Sequence, residues 1–195
     1  MQFKGLVLIL STVSLFACSS SPKLQSQVSG NSGNIEIIKK GFSLLIPNQD
    51  NWKVVKKGPY NVVLSKQGLT NKERYTIQAL VVKLPRFSND EEFMAFIKER
   101  MKKTQQKSDS KIIEHHTQFV DGEDSKCVQY RSKKQYPDKS KAVMIETVNF
   151  TCRHADRDNA GVYLAYSKKY LGDNEDKDFA ESAAGLFNQM ELSAL

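Results

Sequence analysis

The chain has 195 residues, 39% of them hydrophobic and 26% charged, with a formal charge of +7 and three cysteines. That composition excludes a collagen, a disordered tail, a polytopic membrane protein and a disulfide-dense miniprotein. The length suits one domain of ordinary size, able to bury a core without help from metals, and leaves an odd cysteine count to be explained.

In chain order, Lys4 is followed by an uncharged run from Gly5 to Ala17, the basic start and short apolar stretch of a secretory leader. The run is too short for a permanent membrane-spanning helix, which needs about 20 residues. It ends in Leu15-Phe16-Ala17-Cys18, which resembles the lipobox of bacterial lipoproteins. That resemblance implies cleavage before Cys18 and a diacylglyceryl thioether on its sulfur, joined in many bacteria by an amide-linked third chain. Two or three chains hold a protein stably at a membrane where one is marginal. Ser19 after the lipidated position resembles the enteric pattern for outer-membrane lipoproteins. The expected location is therefore the cell envelope, lipid-anchored at the outer membrane and facing the periplasm. Residues 19–34 are rich in Ser, Gly, Gln and Asn with no apolar period, a tether reaching roughly 20–25 Å as a random coil. The expected division is a leader over 1–17, lipidated Cys18 and tether over 18–34, and one globular domain over 35–195.

The domain opens with Phe42, Leu44 and Ile46 on one strand face, stopped by Pro47, and extended chain resumes at Trp52-Lys53-Val54-Val55. Gly58-Pro59 turns into a strand from Tyr60 to Ser65, and a longer one runs from Tyr75 to Leu84, apolar on both faces towards its end and so central. Ser88 and Glu91 have the spacing of a capping box, ahead of a helix whose Phe93, Met94, Ile97 and Met101 share one buried stripe. Four strands are expected over 112–120, 127–136, 143–152 and 162–170, the last pair joined by a turn at Asp158 to Gly161. From about Glu175, Phe179, Ala183, Leu186, Phe187 and Met190 mark a terminal helix. Strands, helix, four strands, helix is an α+β order with a mostly antiparallel sheet and two main helices.

Gly41-Phe42-Ser43-Leu44-Leu45-Ile46-Pro47 with Trp52 soon after, the Leu84-Pro85 strand end before an acidic-start helix, Tyr166-Ser167 and the terminal Leu186-Phe187 carry a resemblance over residues 41–190. The layout resembles the PsbP-like α/β/α sandwiches, which include the extrinsic photosystem protein, a Ran-binding nuclear transport factor and bacterial lipoproteins of the DcrB type. The resemblance implies that fold and no activity.

With Cys18 lipidated, Cys127 and Cys152 remain in an exported chain, where oxidation is expected. A hairpin centred between Lys139 and Ser140 sets Cys127 opposite Cys152, Lys133 opposite Glu146 and Tyr130 opposite Asn149. Directly opposed residues come close enough for a disulfide. A redox-active or metal-binding pair is the competing reading, but there is no Cys-x-x-Cys and His154 has no spaced partner.

No catalytic residue, metal or cofactor is assigned. His115 and His116 are neighbours in a strand and point to opposite faces. The run from Asp156 to Gly161 has Ala160 where a calcium loop needs a ligand. Neither a Gly-x-Ser-x-Gly elbow, a phosphate-binding glycine loop nor a His-Glu-x-x-His is present.

Charge is unevenly spread. Lys126, Arg131, Lys133, Lys134, Lys139 and Lys141 cluster in one hairpin, Lys98, Arg100, Lys102, Lys103 and Lys107 in the first helix, and acids in the terminal helix. Arg131, Lys133, Lys134, Lys139 and Lys141 are the candidate set for an anionic surface: lipid head groups, lipopolysaccharide or an acidic envelope protein. Nucleic acid is disfavoured, because the chain is exported and its lysines lack interleaved aromatics. The expected function is a lipid-anchored binding or scaffolding module. The alternative is a small envelope enzyme, or enzyme accessory, with a groove between sheet and helices.

Overall fold

The computed structural model describes residues 34–47, 51–106, 109–121, 126–137, 142–172 and 176–195. The expected leader, Cys18, all but the last residue of the tether, and Lys107, Lys139 and Lys141 lie outside the described residues.

Period-2 alternation sends most of the described chain into strands: β1 (Asn34–Lys39), β2 (Phe42–Pro47), β3 (Lys53–Gly58), β4 (Asn61–Gln67) and β5 (Arg74–Lys83). The helix α1 (Asp90–Gln106) is followed by β6 (Lys111–Asp121), β7 (Lys126–Tyr136), β8 (Val143–His154) and β9 (Arg157–Leu171). The chain ends in α2 (Phe179–Phe187) and β10 (Met190–Leu192). A seven-stranded sheet has the order β3-β4-β5-β9-β8-β7-β6, antiparallel at each pairing, and β1-β2-β10 form a separate three-stranded sheet.

Each face of the large sheet is covered differently. Val62, Leu64, Ile77, Val148, Phe150, Val162 and Leu164 point to one face and pack with Phe42, Leu44 and Ile46 of β2 and with Phe179, Ala183, Leu186 and Phe187 of α2. Val82 and Val128 point to the other, beneath Phe93 and Ile97 of α1. The result is helix, sheet, then helix with small sheet, because strand alternation gives the large sheet two apolar faces to cover.

Four local expectations are corrected. The α1 cap sits one residue later: Asn89 Oδ1 accepts from Glu92 N–H at 2.9 Å, and the Glu92 carboxylate accepts from Ser88 N–H at 2.8 Å. The turn joining β8 and β9 is at Ala155-Asp156, since His154 already pairs with Arg157. Gly161 is inside β9, where a Cβ would collide with the Cys152 carbonyl and Leu84; glycine marks a close approach there, not a turn. The terminal helix spans Phe179–Phe187, and Met190 belongs to β10, paired with Leu44. Met190 reaches the core from extended chain, so burial at a helical offset misreports the backbone.

Asp90 ties the first turn of α1 to the sheet, at 2.9 Å from Lys126 Nζ and 2.5 Å from Arg153 Nη2. The hydrogen bond from Lys126 is the main cause holding its carboxyl below the ordinary value. A carboxyl depressed in the folded state contributes stability that is complete above its unfolded pKa and is lost as pH falls through the folded one. The tie therefore holds at neutral pH. Asp90→Asn is expected to speed amide exchange in the first turns of α1 while β9 exchange is unchanged; equal α1 protection in both proteins would refute the tie.

Candidate functional site

The β7–β8 hairpin has the expected register: Cys127 opposite Cys152, Lys133 opposite Glu146 and Tyr130 opposite Asn149. Cys127 and Cys152 form a disulfide with an S–S distance of 2.07 Å.

Alternation distributes the cations of this hairpin to two faces. Arg131 shares its face with Cys127 and the apolar core, and its guanidinium is 2.8 Å from Glu146 Oε1. Glu146 is only 1% exposed, so Arg131 is committed to compensating a buried carboxylate, whose desolvation would otherwise be prohibitive. Lys133 lies on that same face, half-buried opposite Glu146. Lys134 lies on the opposite face, also half-buried.

Beyond Glu146 the inner face continues as a polar closure of the core. Lys168 is 4% exposed, with its ammonium 4.0 Å from Asp176 and 5.4 and 5.1 Å from the ring centroids of Tyr75 and Tyr170. The Tyr75 hydroxyl donates to Asp176 Oδ2 at 2.7 Å. Burial, then that bond, push the Tyr75 phenol well above its ordinary value, so it stays a proton donor. These contacts anchor Asp176, which precedes the first helical residue of α2, Phe179.

The histidines are dispersed. His116 Nε2 is 3.1 Å from Gln118 Oε1, and His115 stacks on Tyr130. His154 is buried at the end of β8, where Nδ1 accepts from Asp156 N–H at 3.2 Å, which puts the proton on Nε2, 2.8 Å from the Ser193 carbonyl. Among the described residues no group of three or more His, Cys, Asp or Glu side chains is placed to hold a metal ion.

A second basic surface lies at the other end of the sheet. Lys53, Val54, Val55, Lys56 and Lys57 of edge strand β3 are all exposed in succession, with Val54 at 55% and Val55 at 66%. A bulge between Val54 and Lys56 takes Val55 out of the ladder, and bulges re-aim side chains in this way. The neighbouring rim adds Ile38 at 59% and Tyr60 at 44%. It is one surface because Lys40 N–H donates to the Pro59 carbonyl at 3.0 Å, joining the β1–β2 and β3–β4 turns. Burial and then the nearby Lys57 charge lower the Lys39 pKa, so like charges are crowded here. The legible signal was Lys-Val-Val-Lys-Lys itself, in which neither face alternates cleanly.

The inner face also holds a groove of about 220 Å³ between α2 and the β2, β4, β5 and β9 strands. Ile46, Ile77 and Tyr166 make its apolar floor, and Trp52 meets Tyr166 edge-on at 6.3 Å between centroids.

No family model and no curated protein matches the chain. Among solved structures, it is similar to the cyanobacterial PsbP (CyanoP) of Synechocystis, at 11% identity and a TM-score of 0.51, covering 89% of this chain and 100% of that one. It is also similar to the Ran-binding protein Mog1p of Saccharomyces cerevisiae, at 10% identity and a TM-score of 0.48, covering 83% of this chain and 96% of that one. With mostly antiparallel sheets and two main helices, the fold is α+β, a PsbP-like α/β/α sandwich.

Proposed function

We propose that the protein is a binding or scaffolding module of the bacterial cell envelope, anchored through acyl chains on Cys18 at the outer membrane and facing the periplasm. The observation that carries the binding role is the exposed β3 edge. Lysines on an edge strand also discourage strand pairing. That purpose leaves Val54 and Val55 unexplained, because edge protection favours polar residues at such positions. Exposed aliphatic side chains between lysines suit an anionic lipid surface, where apolar groups enter the interface and ammoniums meet head groups. The crowding of Lys39 by Lys57 favours an incoming anion for the same reason. The expected tether joins the domain at Asn34, the first residue of β1, and β1 contributes Ile38 to this rim.

The test is sedimentation of the unlipidated mature protein with vesicles of phosphatidylglycerol and phosphatidylcholine. At about 1 kcal/mol per lysine near the surface, Lys53→Gln, Lys56→Gln and Lys57→Gln together are expected to weaken binding about a hundredfold. Neutralising Lys133 and Lys134 is expected to do much less. Salt-independent binding, or equal binding by the triple variant, would refute the lipid-surface reading. An unmodified Cys18 in the mass spectrum of the membrane fraction would refute the anchor.

A further inference from the structure

We infer that the groove between α2 and the inner face of the large sheet binds a small amphiphilic carboxylate, its apolar body on the Ile46–Ile77–Tyr166 floor and its charge at Lys66. This site is separate from the lipid-facing rim and stands without it. At about 220 Å³ the groove lies below the roughly 300 Å³ at which drug-sized sites begin. It therefore suits a short acyl or aromatic acid and not a larger cofactor. An apolar floor with few polar groups is the composition of a ligand site, and Ser182 and Gln189 supply the neutral polar groups here.

Lys66 is the single charged side chain among the described residues lining the groove. Its ammonium stands 4.9 Å from the Trp52 ring centroid and 5.3 Å from that of Tyr75. A carboxylate belongs at this wall, because the C-terminal carbonyls of α2 repel an anion at the other.

Gly185 is the independent observation. It lies inside α2, two residues before the last helical residue, and the cap is made by Asn188, so Gly185 does not end the helix. A Cβ at this position would meet nothing within 4 Å. Glycine is disfavoured against alanine in a helix interior, and no close packing requires it here. Ser182, Gly185 and Leu186 of α2, with Gln189 just beyond the helix, run along the groove, and a glycine there keeps the space open.

Trp52 is the only tryptophan, so its emission reports occupancy directly. Titrating the mature protein with octanoate below its micellar threshold is expected to change that emission, and octanamide is expected to bind at least tenfold more weakly. Lys66→Gln should remove this discrimination. Gly185→Ala should raise Tm by about 2–4 °C while weakening octanoate, and Gly185→Leu should weaken both probes at least tenfold in a folded protein. No response of Trp52, equal affinity for the two probes, or undiminished octanoate binding by folded Gly185→Leu would overturn the inference.

Discussion

Reduction of the Cys127–Cys152 disulfide is expected to lower the stability of the domain by about 3 kcal/mol, the chain-entropy value for a closed loop of this size. The bonded cysteines are 25 residues apart in sequence. Both sulfurs lie in the main core, with Cys127 at 0% and Cys152 at 1% exposure. Released thiols remain small apolar groups in the same place, so the native packing changes little and the loss acts through the greater freedom of the unfolded chain. The comparison to make is oxidised against reduced wild-type protein in urea. Serine substitution would also bury two hydroxyls and confuse the cross-link with polar burial. With a slope of about 2 kcal/mol/M, the midpoint should fall by roughly 1.5 M. Coincident curves would show that the hairpin gains nothing from its bond.

Phe150→Ala is expected to remove about 3–5 kcal/mol, the range for deleting a large aromatic from a packed core. Phe150 is 2% exposed and stacks on Phe187 of α2 with ring centroids 4.2 Å apart and planes 12° apart. The pair joins β8 to the last turn of α2, so truncation leaves a cavity and loosens the helix that walls the groove. Faster amide exchange should be concentrated in α2 and β10, and calorimetry should show the lower Tm. Phe119→Ala is the control. Phe119 is 39% exposed on edge strand β6, and its loss is expected to stay within about 0.5 kcal/mol. Similar losses for the two variants would mean that the core does not depend on the Phe150–Phe187 contact.

Much of the architecture is legible locally. Phe42, Leu44 and Ile46 alternate and are buried as a set, and Phe93 and Ile97 share one helical stripe beneath which Val128 lies. The hairpin register is equally local: once the turn centre is placed, every cross-strand pair follows from it, including Cys127 with Cys152. Which cations are exposed is less legible. Lys and Arg counts show that a segment is basic, but Arg131 turns inward to Glu146 while Lys53, Lys56 and Lys57 stay exposed. Charge is written in the sequence; whether a charge is neutralised by a neighbour depends on what packs opposite it.

The boundary follows the range of the interactions. Patterning within about ten residues determined the strands and the α1 stripe, and one hairpin turn carried the register across to the disulfide pair 25 residues apart, because period and register are set along a continuous stretch of chain. Only the tertiary structure decided that β9 lies between β5 and β8, that Met190–Leu192 form a strand against β2, and that β2, β4, β5, β9 and α2 surround a groove. Those arrangements join residues far apart in sequence. They are selected by which apolar faces can be buried together, and no local period encodes that choice.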